Sequence, residues 1–134
     1  MKNSFLLSIA IFGVLYLQAH EVDIKKTSVL INNVEELVRD KCPISVENTT
    51  CVYSSKRSNL PFFSAHIIRY EEVGKPLMDI NFIDFDLVCR VTMTFKNLFQ
   101  NLYKLNVIDS TGKADPEKAK AFARLFNEKK DNDK

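Results

Sequence analysis

The stretch that decides how this chain is read is Leu77-Met78-Asp79-Ile80-Asn81-Phe82-Ile83-Asp84-Phe85-Asp86-Leu87-Val88-Cys89-Arg90-Val91-Thr92-Met93-Thr94. Met78, Ile80 and Phe82 alternate with Asp79 and Asn81, the two-residue period of a half-buried strand. The parity then changes. From Ile83 onward Phe85, Leu87, Cys89, Val91 and Met93 hold the odd positions, against Asp84, Asp86, Arg90, Thr92 and Thr94. A change of face inside an alternating run requires a bulge or a tight turn, so the stretch is either one bent strand or two short ones.

Working outward, Phe62 to Glu72 reads as another strand, with Phe63, Ala65 and Ile67 on one face and His66, Ile68 and Tyr70 on the other. Glu72-Val73-Gly74-Lys75-Pro76 joins the two as a reverse turn. Downstream the period lengthens to about 3.6, and Phe95, Leu98, Phe99, Leu102 and Leu105 form one helical stripe. Asp109-Ser110-Thr111-Gly112 ends that helix and turns the chain. Asp115-Pro116-Glu117 then opens a second helix with a capping carboxylate, a proline at its first position and an acid in its first turn. Ala119, Phe122, Ala123 and Phe126 give it an apolar face.

Upstream, Leu30, Val34, Leu37, Val38 and Lys41 fall on a helical course. Asn33 with Glu36 would make a capping box, Ser28 is an alternative cap, and Pro43 stops the helix. The β-branched content of Val22 to Ile31 leaves a strand start open. Cys42 to Leu60 is polar and turn-rich, with Val52 and Tyr53 as its strand remnant. Three glycines and four prolines punctuate the chain, and Gly74 and Gly112 mark the best turns. The order helix, strands, helices predicts an α+β fold: a small antiparallel sheet of about 3–4 strands packed against an N-terminal helix and two C-terminal helices.

The N-terminus addresses the chain. Lys2 precedes an apolar run from Phe5 to Leu17 that ends at Gln18-Ala19, the pattern of a secretory signal peptide. A spanning helix wants about 20 apolar residues and a basic stop, whereas His20, Glu21 and Asp23 follow this run. The expected organisation is a signal peptide at 1–19, a single globular domain at 20–128 and a charged flexible tail at 129–134. The mature chain then has no membrane anchor. Of 19 basic residues Lys2 leaves with the signal, so 18 face 17 acidic ones. Such a balance provides no basic stripe for nucleic acid.

Export permits disulfides among Cys42, Cys51 and Cys89. Three pairings exist, and the short Cys42–Cys51 loop is the local choice. Cys89 is then unpaired: either buried and inert, or free for an intermolecular bridge and a covalent dimer. Asn48-Thr49-Thr50 is the one N-glycosylation sequon, so Asn48 is the expected glycan site.

No catalytic, metal or cofactor constellation stands out. His20, once exposed by cleavage, has an amine and a ring that suit copper, but His66 is the only other histidine. Asp79, Asp84 and Asp86 cluster in sequence, with Asp84 and Asp86 sharing a strand face in the pattern of a solvated surface. A Cys89–His66 thiol pair has no marker around it. Phe95, Phe99, Phe122 and Phe126 lie on inward helix faces and Phe82 and Phe85 flank the parity switch; the six either line an apolar pocket or form a plain packed core.

The segment from Leu102 through Asp109 and Gly112 to Ala119 resembles a central part of insect odorant-binding proteins, where helix, turn and helix follow one another. No cysteine follows Cys89, where that family would have them. The resemblance therefore implies the local helix–turn–helix and not the fold. The expected function is a secreted, non-enzymatic binding or interaction protein with an unknown extracellular protein partner. The alternative is an extracellular carrier of a small hydrophobic ligand, and a secreted hydrolase comes third. No cofactor is expected.

Overall fold

The computed structural model describes residues 20–109 and 111–128. The expected signal peptide at 1–19 and charged tail at 129–134 lie outside the described residues. Seven strands run in sequence order as one antiparallel meander: β1 (Val22–Ile24), β2 (Ser28–Ile31), β3 (Val34–Arg39), β4 (Thr49–Ser55), β5 (Pro61–Glu72), β6 (Lys75–Phe82) and β7 (Leu87–Thr92). The sheet curls into a half-barrel. Two helices follow, α1 (Phe95–Lys104) and α2 (Pro116–Phe126). α1 packs on β1 and α2 on β7, at the two edges of the sheet.

This corrects the expected fold. The sheet has seven strands rather than about 3–4, and the N-terminal helix is a hairpin. Ile31 pairs with Val34 across Asn32 and Asn33, whose φ angles are 52° and 67°. Two successive left-handed residues make the primed turn whose twist suits a hairpin, and asparagine tolerates that conformation. Asn33 therefore belongs to a turn and Glu36 to a strand, and the two form no capping box. Leu30, Val34 and Val38 face away from the core, while Val29, Ile31 and Leu37 are buried with period two.

The parity switch resolves as a tight turn. Met78, Ile80 and Phe82 of β6 and Cys89 and Val91 of β7 all face the core. Between them Ile83–Phe85 forms one 3-10 turn, and Asp86 closes it with a left-handed φ of 52°. Asp84 and Asp86 therefore sit in an exposed turn rather than on a strand face.

The concave face is filled by rings. Tyr53 of β4 stacks on Phe63 of β5 at 4.7 Å, and Phe99 of α1 meets them at 5.0 and 5.8 Å between centroids. Phe122 of α2 meets Phe82 edge-on at 6.5 Å. These contacts fasten the helices over the sheet, and ring pairs of this geometry add to plain area burial.

The helix signals hold locally. Thr94 caps α1 by accepting from the Asn97 N–H, and Asp115 caps α2 by accepting from the N–H groups of Glu117 and Lys118. α1 ends earlier than the Asp109 turn. Asn106 takes φ 58°, its N–H bonds to the Tyr103 carbonyl at 3.1 Å, and the Val107 N–H reaches the Leu102 carbonyl at 2.8 Å. This is a Schellman stop, completed by burial of both Leu102 and Val107.

Sheet edges are also managed. The Glu128 N–H donates to the Arg90 carbonyl at 2.7 Å, and Asn127 Oδ1 accepts from the Arg90 N–H at 2.9 Å. The last described residues thus cover the β7 edge, which would otherwise offer a template for another strand.

Candidate functional site

A pocket of about 380 Å³ opens between the β2–β3 hairpin and the C-terminal end of α1. Its residues arrive from four places. His20 enters from the chain start. Ile31, Asn32, Val34 and Glu36 come from the hairpin, and Arg57 from the β4–β5 connection. Tyr103, Asn106, Ile108 and Asp109 come from the end of α1 and the loop after it.

Local chemistry fixes each wall. Glu21 and Asn32 exchange bonds: the Glu21 N–H donates to Asn32 Oδ1 at 3.0 Å, and the Asn32 N–H to the Glu21 carbonyl at 2.8 Å. The Gln100 side-chain amide donates to the His20 carbonyl at 3.2 Å. The His20–Glu21 peptide is thereby held at both its carbonyl and its N–H. The Schellman stop turns the chain at Asn106 and delivers Ile108 and Asp109. Asp109 Oδ1 accepts from the N–H groups of Thr111 and Lys113 at 2.8 and 3.1 Å and from the Thr111 hydroxyl. These bonds hold the Asp109 carboxyl below its ordinary pKa. Gly112 then presses on Ser55: with φ 80°, any Cβ there would collide with the Ser55 hydroxyl. Ser55 Oγ in turn accepts from the Arg57 N–H at 3.3 Å, so the contact ties the loop to the wall that carries Arg57.

Two polar atoms in the pocket lack partners among the described residues, His20 Nδ1 and Tyr103 Oη, and both are buried. Their rings lie 6.0 Å apart. Burial, with the nearby Glu36 carboxylate adding to it, raises the Tyr103 pKa, so the phenol keeps its proton. Glu36 and Arg57 form no ion pair among the described residues. Buried polar atoms in folded proteins are almost always bonded, to protein or to ordered water, so an unpaired pair in one concavity makes this pocket the candidate site.

A second polar group lies on the convex face. Register places Thr50, His66, Asp79 and Arg90 side by side across β4 to β7. Thr50 Oγ1 is 2.7 Å from His66 Nδ1, and Arg90 grips both Asp79 oxygens at 2.8 and 3.1 Å. A hydroxyl against an imidazole is the start of a nucleophile pair. On a solvent-facing strand surface it acts as cross-strand stitching.

The sequence candidates fall in different places. Cys42 and Cys51 form a disulfide, with Cα atoms 5.5 Å apart. Cys89 is free and 1% exposed, and burial, with Asp79 adding to it, pushes its thiol up to about 12. It faces the core while His66 faces outward, so the sheet separates that pair. His66 is likewise on a different surface from His20. Asp79 is paired with Arg90, apart from the turn that holds Asp84 and Asp86. Among the described residues no three histidine, cysteine or carboxylate side chains converge for a metal.

Asn48 is exposed at φ 61°, inside the disulfide loop. Of the six phenylalanines, Phe82, Phe99 and Phe122 are fully buried, Phe95 is nearly so, and Phe85 and Phe126 pack at the margin. Phe85 stacks on Phe82 at 5.7 Å and Phe126 lies 4.9 Å from Phe122. None of the six lines the pocket just described.

Sequence reasoning had singled out only His20 among the pocket residues. The sequence pattern gives Glu36 a capping role, because the hairpin that brings it to α1 has a helical spacing of apolar residues, and it gives Tyr103 no mark beyond its place in α1. The signal available was Asn32-Asn33. No family model, curated protein or solved structure matches this chain.

Proposed function

We propose that this chain is a secreted, non-enzymatic binding protein whose recognition element is the pocket between the β2–β3 hairpin and the end of α1. The observation that carries this reading is the pair of buried, unpartnered atoms, His20 Nδ1 and Tyr103 Oη, in one pocket of about 380 Å³. That volume suits a small molecule or one side chain of a larger partner. Secretion rests on the apolar leader, and the Cys42–Cys51 bridge agrees with an oxidising compartment. Asn48 is an exposed acceptor in the same connection, and we assign it a glycan.

A carrier of apolar ligands receives less support, because the rings of Phe82, Phe85, Phe99, Phe122 and Phe126 are in contact with other rings of the core. Native mass spectrometry of the chain purified from culture medium tests the reading. The expected result is protein that carries no lipid and takes up no N-phenyl-1-naphthylamine. A co-purified lipid, or tight uptake of that probe, would transfer the function to the interior.

A further inference from the structure

We infer that Asn48 can receive its glycan only before β4 pairs with β5, so that the folded chain is not an acceptor. This rests on the secretory reading and on the glycan assigned to Asn48. It adds when the modification can occur and what closes it off.

The transfer sets what the site must offer. Asn48 Nδ2 attacks the anomeric carbon of an oligosaccharide carried on a lipid diphosphate. The N–C bond forms, the C–O bond to the diphosphate breaks, the lipid diphosphate leaves and Nδ2 gives up one proton. The sequon also demands a hydroxyl two residues on, here that of Thr50. A transferase must therefore meet Asn48 and the Thr50 hydroxyl together.

The fold withholds that pair. The Asn48 side chain is exposed, but its backbone is bent to φ 61° and its N–H donates to the Ile67 carbonyl at 2.7 Å. Thr49 and Thr50 pair with Ile67 and His66 in the β4–β5 register. The Thr50 hydroxyl lies 2.7 Å from His66 Nδ1 and is engaged there. The flanks are tied as well. Glu47 Oε1 accepts from the Tyr70 N–H at 3.3 Å, and Cys51, directly after Thr50, is fully buried and bridged to Cys42. Presenting the sequon means stripping residues 47–51 from β5. Both strands lie inside the sheet rather than at its edge, and paired interior strands open with free energies near that of global unfolding.

Every partner that engages the sequon comes from β5, which is made after it. Ile67 follows Asn48 by about 20 residues, so at about 5–20 residues per second the sequon stands without its partner strand for about 1–4 s. A hairpin then closes in about 1–10 μs, and a disulfide in seconds or longer. Occupancy of Asn48 is thus decided while the chain is being made and folded, and a chain that folds bare stays bare.

Transfer by a solubilised oligosaccharyltransferase from a lipid-linked oligosaccharide tests this. The acceptor is the full chain prepared in a bacterial periplasm, which leaves Asn48 bare, in its native form and after reduction and carbamidomethylation. The blocked thiols include the buried Cys51 and Cys89, so the second form does not regain the core, as circular dichroism checks. The alkylated chain is expected to be modified at least tenfold faster than the native chain, and Thr50→Ala is expected to abolish its modification. Transfer to the native chain at a rate similar to that of the alkylated chain would overturn the inference and leave the glycan assignment in place. If neither form is modified, the glycan assignment falls and the inference falls with it.

Discussion

Cys89 and Tyr53 show how burial sets the chemistry of single residues. Burial raises the Cys89 thiol from 9.0 to about 12. It raises the Tyr53 hydroxyl from 10.0 to about 12 as well, with the Arg39 guanidinium opposing part of the rise. Arg39 is itself 4% exposed; its Nε and Nη2 donate to the Lys25 and Lys26 carbonyls, latching the β1–β2 turn onto β3. Both raised groups keep their protons in the folded chain where the unfolded chain has lost them. Their contribution to stability is complete below the unfolded values and disappears as pH rises through about 9 to 12. Thermal unfolding followed from pH 8 to 12 should show a falling Tm, and Tyr53→Phe should make the fall shallower. Native Cys89 should also resist iodoacetamide while the denatured chain reacts, and the chain should run as a monomer on a non-reducing gel. Rapid native alkylation would mean that the core around β7 opens.

At the scale of elements, the turns explain what could be read from sequence and what could not. Positive φ falls on Asn32, Asn33, Asn48, Asn59, Asp86 and Asn106 as well as on Gly74 and Gly112. Asparagine and aspartate are the residues, after glycine, that accept this region most readily. A reading that looks for turns at glycine and proline finds the β5–β6 turn and the loop at Gly112. It misses the β2–β3 turn and the stop at Asn106, and these position most of the pocket. The caps at Thr94 and Asp115, the inward faces of α1 and α2, and the alternation in β5 to β7 were legible because each is a local pattern. The length of β4 was not, since its polar outer residues are sustained by neighbours on both sides. Asn33→Val should cost about 1–3 kcal/mol in urea unfolding, because a β-branched residue is strained at that φ. Asn33→Gly should be tolerated. Equal stability of the two variants would contradict the primed turn.

At the scale of the molecule, a curved sheet closes over two helices by aromatic contact, and the pocket lies at the margin of that core. Phe99 is the junction between α1 and the β4–β5 pair. Phe99→Ala should therefore destabilise the chain by about 3–5 kcal/mol, measured by denaturant unfolding, as large-to-small changes in packed cores do. Removing the Cys42–Cys51 bridge should cost roughly 2–3 kcal/mol, since it closes a short loop in the unfolded chain.

The division between a closed aromatic interior and an open polar pocket is the centre of this account. NMR of the secreted chain with a soluble nitroxide probe tests it most directly. The Val34 methyl and Tyr103 ring signals at the pocket should broaden, while the rings of Phe82, Phe99 and Phe122 keep their intensity. Broadening of those three phenylalanines would show an open interior and contradict the account.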